Sequence, residues 1–157
     1  MDFIREILNQ SANFFLIDEQ MGEIEGLIEL QQNDEYYLKL VDVSKSISME
    51  TFMQTMASSM NFPGYFGHNW SALSDNFKEK IWQAKKEQCV LVFSAVDNLL
   101  TQERNDLIDL FGTLKAVIDM LATIKLKIIF LAKDTQNSHL GQAIVNENIN
   151  PKVIYQN

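Results

Sequence analysis

The 157-residue sequence is poor in cysteine, proline, histidine and basic charge, and each shortage excludes something. Its single cysteine, Cys89, cannot form an internal disulfide or contribute to a thiolate metal cage, which fits a reducing compartment. Two prolines and six glycines exclude collagen-like or elastic repeats. The stretches free of charged and amide residues are far shorter than a membrane span, so no membrane association is expected. The start, Met1-Asp2-Phe3-Ile4-Arg5-Glu6, carries an acid at its second position and no apolar block behind it. It does not read as a secretory signal, and a cytoplasmic address is expected. Only His68 and His139 are available for a nucleophile–base pair or a nitrogen-rich metal site.

Basic residues number 13 against 21 acids, a net charge of −8. Residues 1–35 hold nine acids and one base, while the other 122 residues hold twelve of each, so the whole negative excess sits in the amino-terminal segment. A nucleic-acid binder needs a basic stripe to displace counterions from phosphates, and none is present. A basic protein partner suits the balance better. Glu19, Glu23, Glu25 and Glu29 read first as a solvated face, with steering of a partner as the second reading.

With 46% hydrophobic and 22% charged residues, the chain suits one globular domain. Asp2 followed by Phe3, Ile4, Ile7 and Leu8 has the spacing of a short capped helix. Phe14 to Ile17 is an apolar run suited to a buried strand, and the acidic stretch around Ile24, Leu27, Ile28 and Leu30 is ambiguous. Tyr36 to Val43 favours a strand. Ser48 caps a predicted helix whose apolar stripe, Met49, Phe52, Met56 and Met60, runs up to Pro63; the helical spacing makes these methionines core rather than a soft-metal site. Asn69 caps a second helix to about Lys80, approached through Gly64 and Gly67. Cys89 to Val96 and Leu126 to Ala132 read as strands covered on both faces. Between them Leu107, Leu110, Phe111, Leu114, Val117, Ile118 and Leu121 mark the clearest helix in the chain. Pro151 to Tyr155 suggests a last short strand. The alternation indicates an α/β fold, with no internal repeat and no linker dividing residues 1–157.

His68, Ser71 and Asp75 stand three and four apart at the start of one predicted helix and superficially resemble a hydrolase triad. Side chains on one helix point outward beside each other, with no separate element to supply a facing base or an oxyanion hole. Gly-x-x-x-x-Gly-Lys, Gly-x-Gly-x-x-Gly and His-Glu-x-x-His motifs are missing. The expectation is a protein that is not an enzyme and uses no cofactor, metal or small-molecule substrate. The same region reads better as a contact surface: Phe62, Tyr65, Phe66 and Trp70 crowd around two glycines before a helix carrying Asp75. Phe62, Phe66 and Trp70 read as core, Tyr65 as either core or contact. A carboxylate held by a rigid helix can pair with Arg or Lys on a partner.

The segment Asn61-Phe62-Pro63-Gly64-Tyr65-Phe66-Gly67-His68-Asn69-Trp70-Ser71-Ala72-Leu73-Ser74-Asp75 resembles the central signature of the barstar family of ribonuclease inhibitors. In that pattern an aromatic pair, Gly, a polar residue and Asn precede a helix with Asp-Ala-Leu and a further acid, matched by Tyr65, Phe66, Gly67, Asn69, Ala72, Leu73 and Asp75. The resemblance extends more weakly over residues 36–132, which keep the order strand, helix, signature loop, helix, strand, helix, strand. Residues 1–35, an acidic amino-terminal extension, and 133–157, a carboxy-terminal extension, lie outside it. The resemblance implies a three-layer α/β fold, a small parallel sheet packed by helices, whose second helix and preceding loop plug the active site of a secreted ribonuclease. The position matching Asp75 would be the principal anionic anchor, and Tyr65 would stack at the rim. His68, Asn69 and Gly67 belong to the same loop, and Trp82 and Asp119 are further candidates beside the helix.

Two departures stand out. Ser71 replaces a frequent family acid, and Ser74 occupies a position where the best-known member has Trp. Lys78, Glu79 and Lys80 also dilute the negative charge beyond Asp75, although the acids of residues 1–35 would restore it if they pack beside that helix. The leading expectation is an immunity or inhibitor protein occluding a ribonuclease-type or other nuclease-type toxin, itself a basic protein. The alternative is a regulatory or assembly module with a non-toxin protein partner. A hydrolase using His68, Ser71 and Asp75 comes third.

Overall fold

The near-continuous apolar runs become strands buried on both faces, and where they lie decides what the helices can present. The structure, a computed structural model, describes residues 2–19, 24–135, 138–146 and 153–155. In chain order the strands are β1 (Phe14–Asp18), β2 (Tyr37–Asp42), β3 (Gln88–Ser94), β4 (Lys125–Ala132) and β5 (Val153–Tyr155). They form one parallel sheet in the order β2-β3-β4-β1-β5. The helices are α1 (Asp2–Asn9), α2 (Ile24–Leu30), α3 (Met49–Met60), α4 (Trp70–Ala84), α5 (Asp106–Met120) and α6 (His139–Asn146). None of these helices is long and apolar enough to cross a membrane.

Strand alternation divides the core in two. Phe14 and Leu16 of β1, Leu91 and Phe93 of β3, and Ile128 and Phe130 of β4 face a large cluster under α3, α4 and α5. Phe15, Ile17, Val90, Val92, Ile129 and Leu131 face the opposite way, against Ile4, Ile7 and Leu8 of α1 and Leu27 of α2. The result is the three-layer α/β architecture that the resemblance implies.

β1, from the acidic segment, lies in the sheet's interior. Phe15 to Ile17 pair with Ile129 to Leu131 on one side and with Val153 to Tyr155 on the other. The ambiguous stretch at residues 24–30 is helix α2. Of the expected last strand, Val153 to Tyr155 form β5, whereas Pro151 and Lys152 lie outside the described residues, as does Glu23. α1 and α2 pack on the face of the sheet opposite α4, so the acids carried on those two helices do not restore charge beside it. The handedness of the β1–α2–β2 crossover carries α2 to that far face, whereas Asp34, beyond α2, lies near the end of α4, its carbonyl accepting from Lys86 Nζ.

The carbonyl end of α1 is tied to β4 by lysines. Lys127, only 2% exposed, donates from Nζ to the carbonyl of Gln10 at 2.6 Å and to that of Ala12. Lys125 Nζ reaches the Leu8 carbonyl at 3.2 Å. Cations at a helix carbonyl terminus satisfy its orphan acceptors and complement its dipole. Burial lowers the Lys127 pKa, and neighbouring Lys125 adds to the effect.

Candidate functional site

The approach to α4 is organised by three local devices. Asn61 ends α3 in the left-handed conformation, φ 53°, two residues before the expected stop at Pro63. A turn then closes with Phe66 N donating to the Pro63 carbonyl at 2.9 Å. Phe62 and Phe66 turn inward with ring centroids 4.9 Å apart, and the His68 ring lies 5.0 Å from Phe66. The fourth corner residue points outward, so Tyr65 is 85% exposed.

Asn69 then caps α4. Its Oδ1 accepts from Ala72 N at 2.8 Å, and its Nδ2 donates to the Gly67 carbonyl at 3.1 Å. Gly67 is held close to this cap: a Cβ there would meet Asn69 Nδ2 at 3.1 Å and Ala72 Cβ at 3.5 Å. A Cβ at Gly64 would meet nothing within 4 Å. The left-handed residue of the loop is His68, φ 50°. It lies outside the helix, so His68 does not share a helical face with Ser71 and Asp75.

On α4 the inward residues are Leu73, Phe77 and Ile81, while Trp70 is half-buried against Phe52, 6.1 Å between rings. This orientation leaves Ser71 and Asp75 exposed and Ser74 half-exposed on the outer face. They line a groove of about 610 Å³ between α4 and α5, completed by Trp70, Ile108, Asp109, Gly112, Thr113 and Ala116. Farther along, Lys78 turns aside, its Nζ 5.3 Å above the Trp82 ring and 3.7 Å from Met120 Sδ. Trp82 is 47% exposed there. Asp119 is exposed near the end of α5 and does not line the groove.

The structure therefore brings Ser71, Ser74 and Asp75 together in one groove, with Tyr65, Gly67, His68 and Asn69 on the loop leading to it. Trp82 and Asp119 lie toward the other end of α4 and α5. Sequence reading missed the α5 wall. Its outward side is easily passed over because the strong inward stripe dominates the pattern, but an isoleucine off that stripe at position 108 and a glycine in mid-helix at 112 were the available signals. Among the described residues, six large apolar side chains are exposed, and four of them, Tyr65, Trp82, Ile108 and Met120, belong to this loop and these two helices. Such clustering marks an interaction surface more strongly than scattered single residues do. At the amino end of α5, burial raises the Asp106 pKa, with Glu103 and Asp109 adding negative field. No group of three or more His, Cys, Asp or Glu among the described residues is placed to hold a metal ion.

Fold and site together define a three-layer α/β protein that exposes a capped loop and the outer rows of two helices on one side of its sheet. A family model described as Barstar (barnase inhibitor) matches residues 36–132, well over half the chain, and the protein belongs to the barstar family. A sequence search of curated proteins found no match. Among solved structures, the Aeropyrum pernix ORC2 protein in ADPNP–ADP complexes is similar at TM-score 0.61 and 11% identity, covering 97% of this chain and 45% of that one. Cdc6p from Pyrobaculum aerophilum gives TM-score 0.57 and 12% identity, covering 98% and 42%. The Aeropyrum pernix ORC1 protein in complex with DNA gives 0.58 and 9%, covering 98% and 43%. The chain spans less than half the length of these three proteins, and at such identities the likeness is one of fold.

Proposed function

We propose that this protein is a stoichiometric inhibitor that closes the active site of a ribonuclease-type toxin in the cytoplasm, acting without catalysis and without a cofactor. The observation carrying this reading is the exposed Asp75 carboxylate on a rigid helix, in its second turn past the Asn69 cap, beside a loop that projects Tyr65 into solvent. A nuclease active site is cationic because it binds phosphates. A carboxylate presented by a pre-ordered helix takes the phosphate's place with no backbone ordering cost on binding. Family membership supports a nuclease as the class of partner.

The test is titration of the purified chain into barnase and into a second ribonuclease-type toxin, with RNA cleavage as readout. Inhibition should reach completion at one equivalent. Asp75→Ala should weaken binding by about 2 kcal/mol or more while leaving the melting temperature nearly unchanged. Equal affinity in that variant would remove Asp75 from the site. A second reading, an assembly or regulatory module with a non-toxin protein partner, draws on Ser71 and Ser74, which leave the groove open where the family pattern has larger or charged side chains. It predicts no inhibition of either nuclease.

A further inference from the structure

We infer that Met120 is a reversible oxidation site on the α4–α5 face, and that the Lys78 ammonium holds its sulfoxide oxygen. Met120 ends α5 and is 45% exposed. Its sulfur already accepts from Lys78 Nζ at 3.7 Å, and the same ammonium lies 5.3 Å above the Trp82 ring. The other sulfur atoms among the described residues are shielded. Met53, Met56 and Met60 are buried in the core and Met49 packs against it, while Cys89 is buried with its thiol pushed up to about 11. The site belongs to the free protein and stands whether or not this face meets a nuclease.

The oxidant is a peroxide. The thioether sulfur attacks one peroxide oxygen, an S–O bond forms as the O–O bond breaks, and the other oxygen leaves as water with both peroxide protons. Sulfur is oxidised to the sulfoxide and the peroxide is reduced to water. A thioether is a weak acceptor, whereas the sulfoxide oxygen carries partial negative charge and makes a charge-assisted hydrogen bond to an ammonium. Lys78 reaches from α4 and Met120 from α5, so the product fastens the two helices to each other. Oxidation also replaces one of the four exposed large apolar side chains of this face by a polar one. A methionine sulfoxide reductase reverses the step: a dithiol supplies two hydrogens, the oxygen leaves as water, and the dithiol becomes a disulfide.

The full-length chain is treated with hydrogen peroxide in native buffer, and its peptides are weighed by mass spectrometry. Met120 should take up oxygen at least about tenfold faster than Met49, Met53, Met56 and Met60. In the oxidised protein, acetylation of Lys78 by N-hydroxysuccinimidyl acetate should slow by at least about threefold, with exposed Lys115 unchanged as the internal control. Methionine sulfoxide reductase with dithiothreitol should restore the original rate. In Met120→Leu, peroxide should leave the reactivity of Lys78 as it was. Comparable oxygen uptake at Met49 or at the core methionines of the folded protein overturns the inference. So does an unchanged Lys78 rate after oxidation, or a slowed one in Met120→Leu.

Discussion

Cutting the chain back to residues 36–132, the span matched by the family model, should destroy the fold rather than trim it. The cut removes α1, β1 and α2, and with them every helix covering one face of the sheet. Leu38, Val90, Val92, Ile129 and Leu131 stay in the fragment, each at most 2% exposed in the intact protein and each packed toward that face. Full exposure of such side chains costs about 1.5–3 kcal/mol apiece, so five of them lose roughly 7–15 kcal/mol. Net domain stabilities are about 5–15 kcal/mol, the same size. The cut also turns β4 from an interior strand into an open edge, although seven of its eight residues are buried. Thermal melts by circular dichroism, with light scattering alongside, should show a cooperative transition for the full chain and none for the fragment, which should associate. A monomeric fragment melting cooperatively within a few degrees of the parent would refute the reasoning.

Cys89 offers a pH test, because burial pushes its thiol pKa from 9.0 up to about 11. The unfolded chain releases this proton near pH 9 and the folded chain holds it to about pH 11, so stability is intact below pH 9 and falls as pH rises through that window. The loss approaches roughly 3 kcal/mol and should flatten in Cys89→Ala; burial also raises Tyr36 and Tyr37, and the Cys89 charge raises Tyr37 further, so the variant removes that coupling as well. Native Cys89 should resist thiol reagents at neutral pH. Lys127→Met should cost about 2 kcal/mol and speed amide exchange in α1, since the Gln10 and Ala12 carbonyls lose their charged donor. Asn69→Ala should cost about 1 kcal/mol in the melt and weaken partner binding, because one side chain holds both the first turn of α4 and the Gly67 carbonyl.

Local elements were legible wherever one periodicity had no competitor. The α5 stripe at Leu107, Leu110, Phe111, Leu114 and Val117 is buried as its spacing implies, and the caps expected at Ser48 and Asn69 make their bonds, whereas Asp2, expected to cap the first helix, is the first residue within α1. Phe62 and Phe66 are core as expected, and the structure decides Tyr65 in favour of solvent. Residues 24–30 were harder, because a seven-residue amphipathic piece containing Gly26 carries too few turns to separate helix from strand. The place of β1 could not be read at all. Phe14-Phe15-Leu16-Ile17 has the same two-sided apolar character as β3 and β4, so nothing local distinguishes an interior neighbour of β4 from an appended strand. The groove escaped for a related reason: Asp75 and Asp109 are 34 positions apart and meet only because α4 and α5 pack side by side on the sheet.

On the proposed reading, the sheet divides recognition from support. Tyr65, Asp75 and the groove are built from α4, α5 and the loop before them, all within residues 36–132, while α1 and α2 cover the opposite face. Substitutions in residues 1–35 should therefore act on partner binding only by lowering the fraction folded, whereas exposed substitutions on the outer rows of α4 and α5 should change affinity at nearly constant stability. The acidic charge carried on α1 and α2, held behind the sheet, can influence a cationic partner on the other face only through a field that salt screens over about 10 Å at 0.1 M. Association of a partner with the α4–α5 face should in consequence lose more rate on removal of Asp75 or Asp109 than on removal of Glu29, exposed on α2 across the sheet.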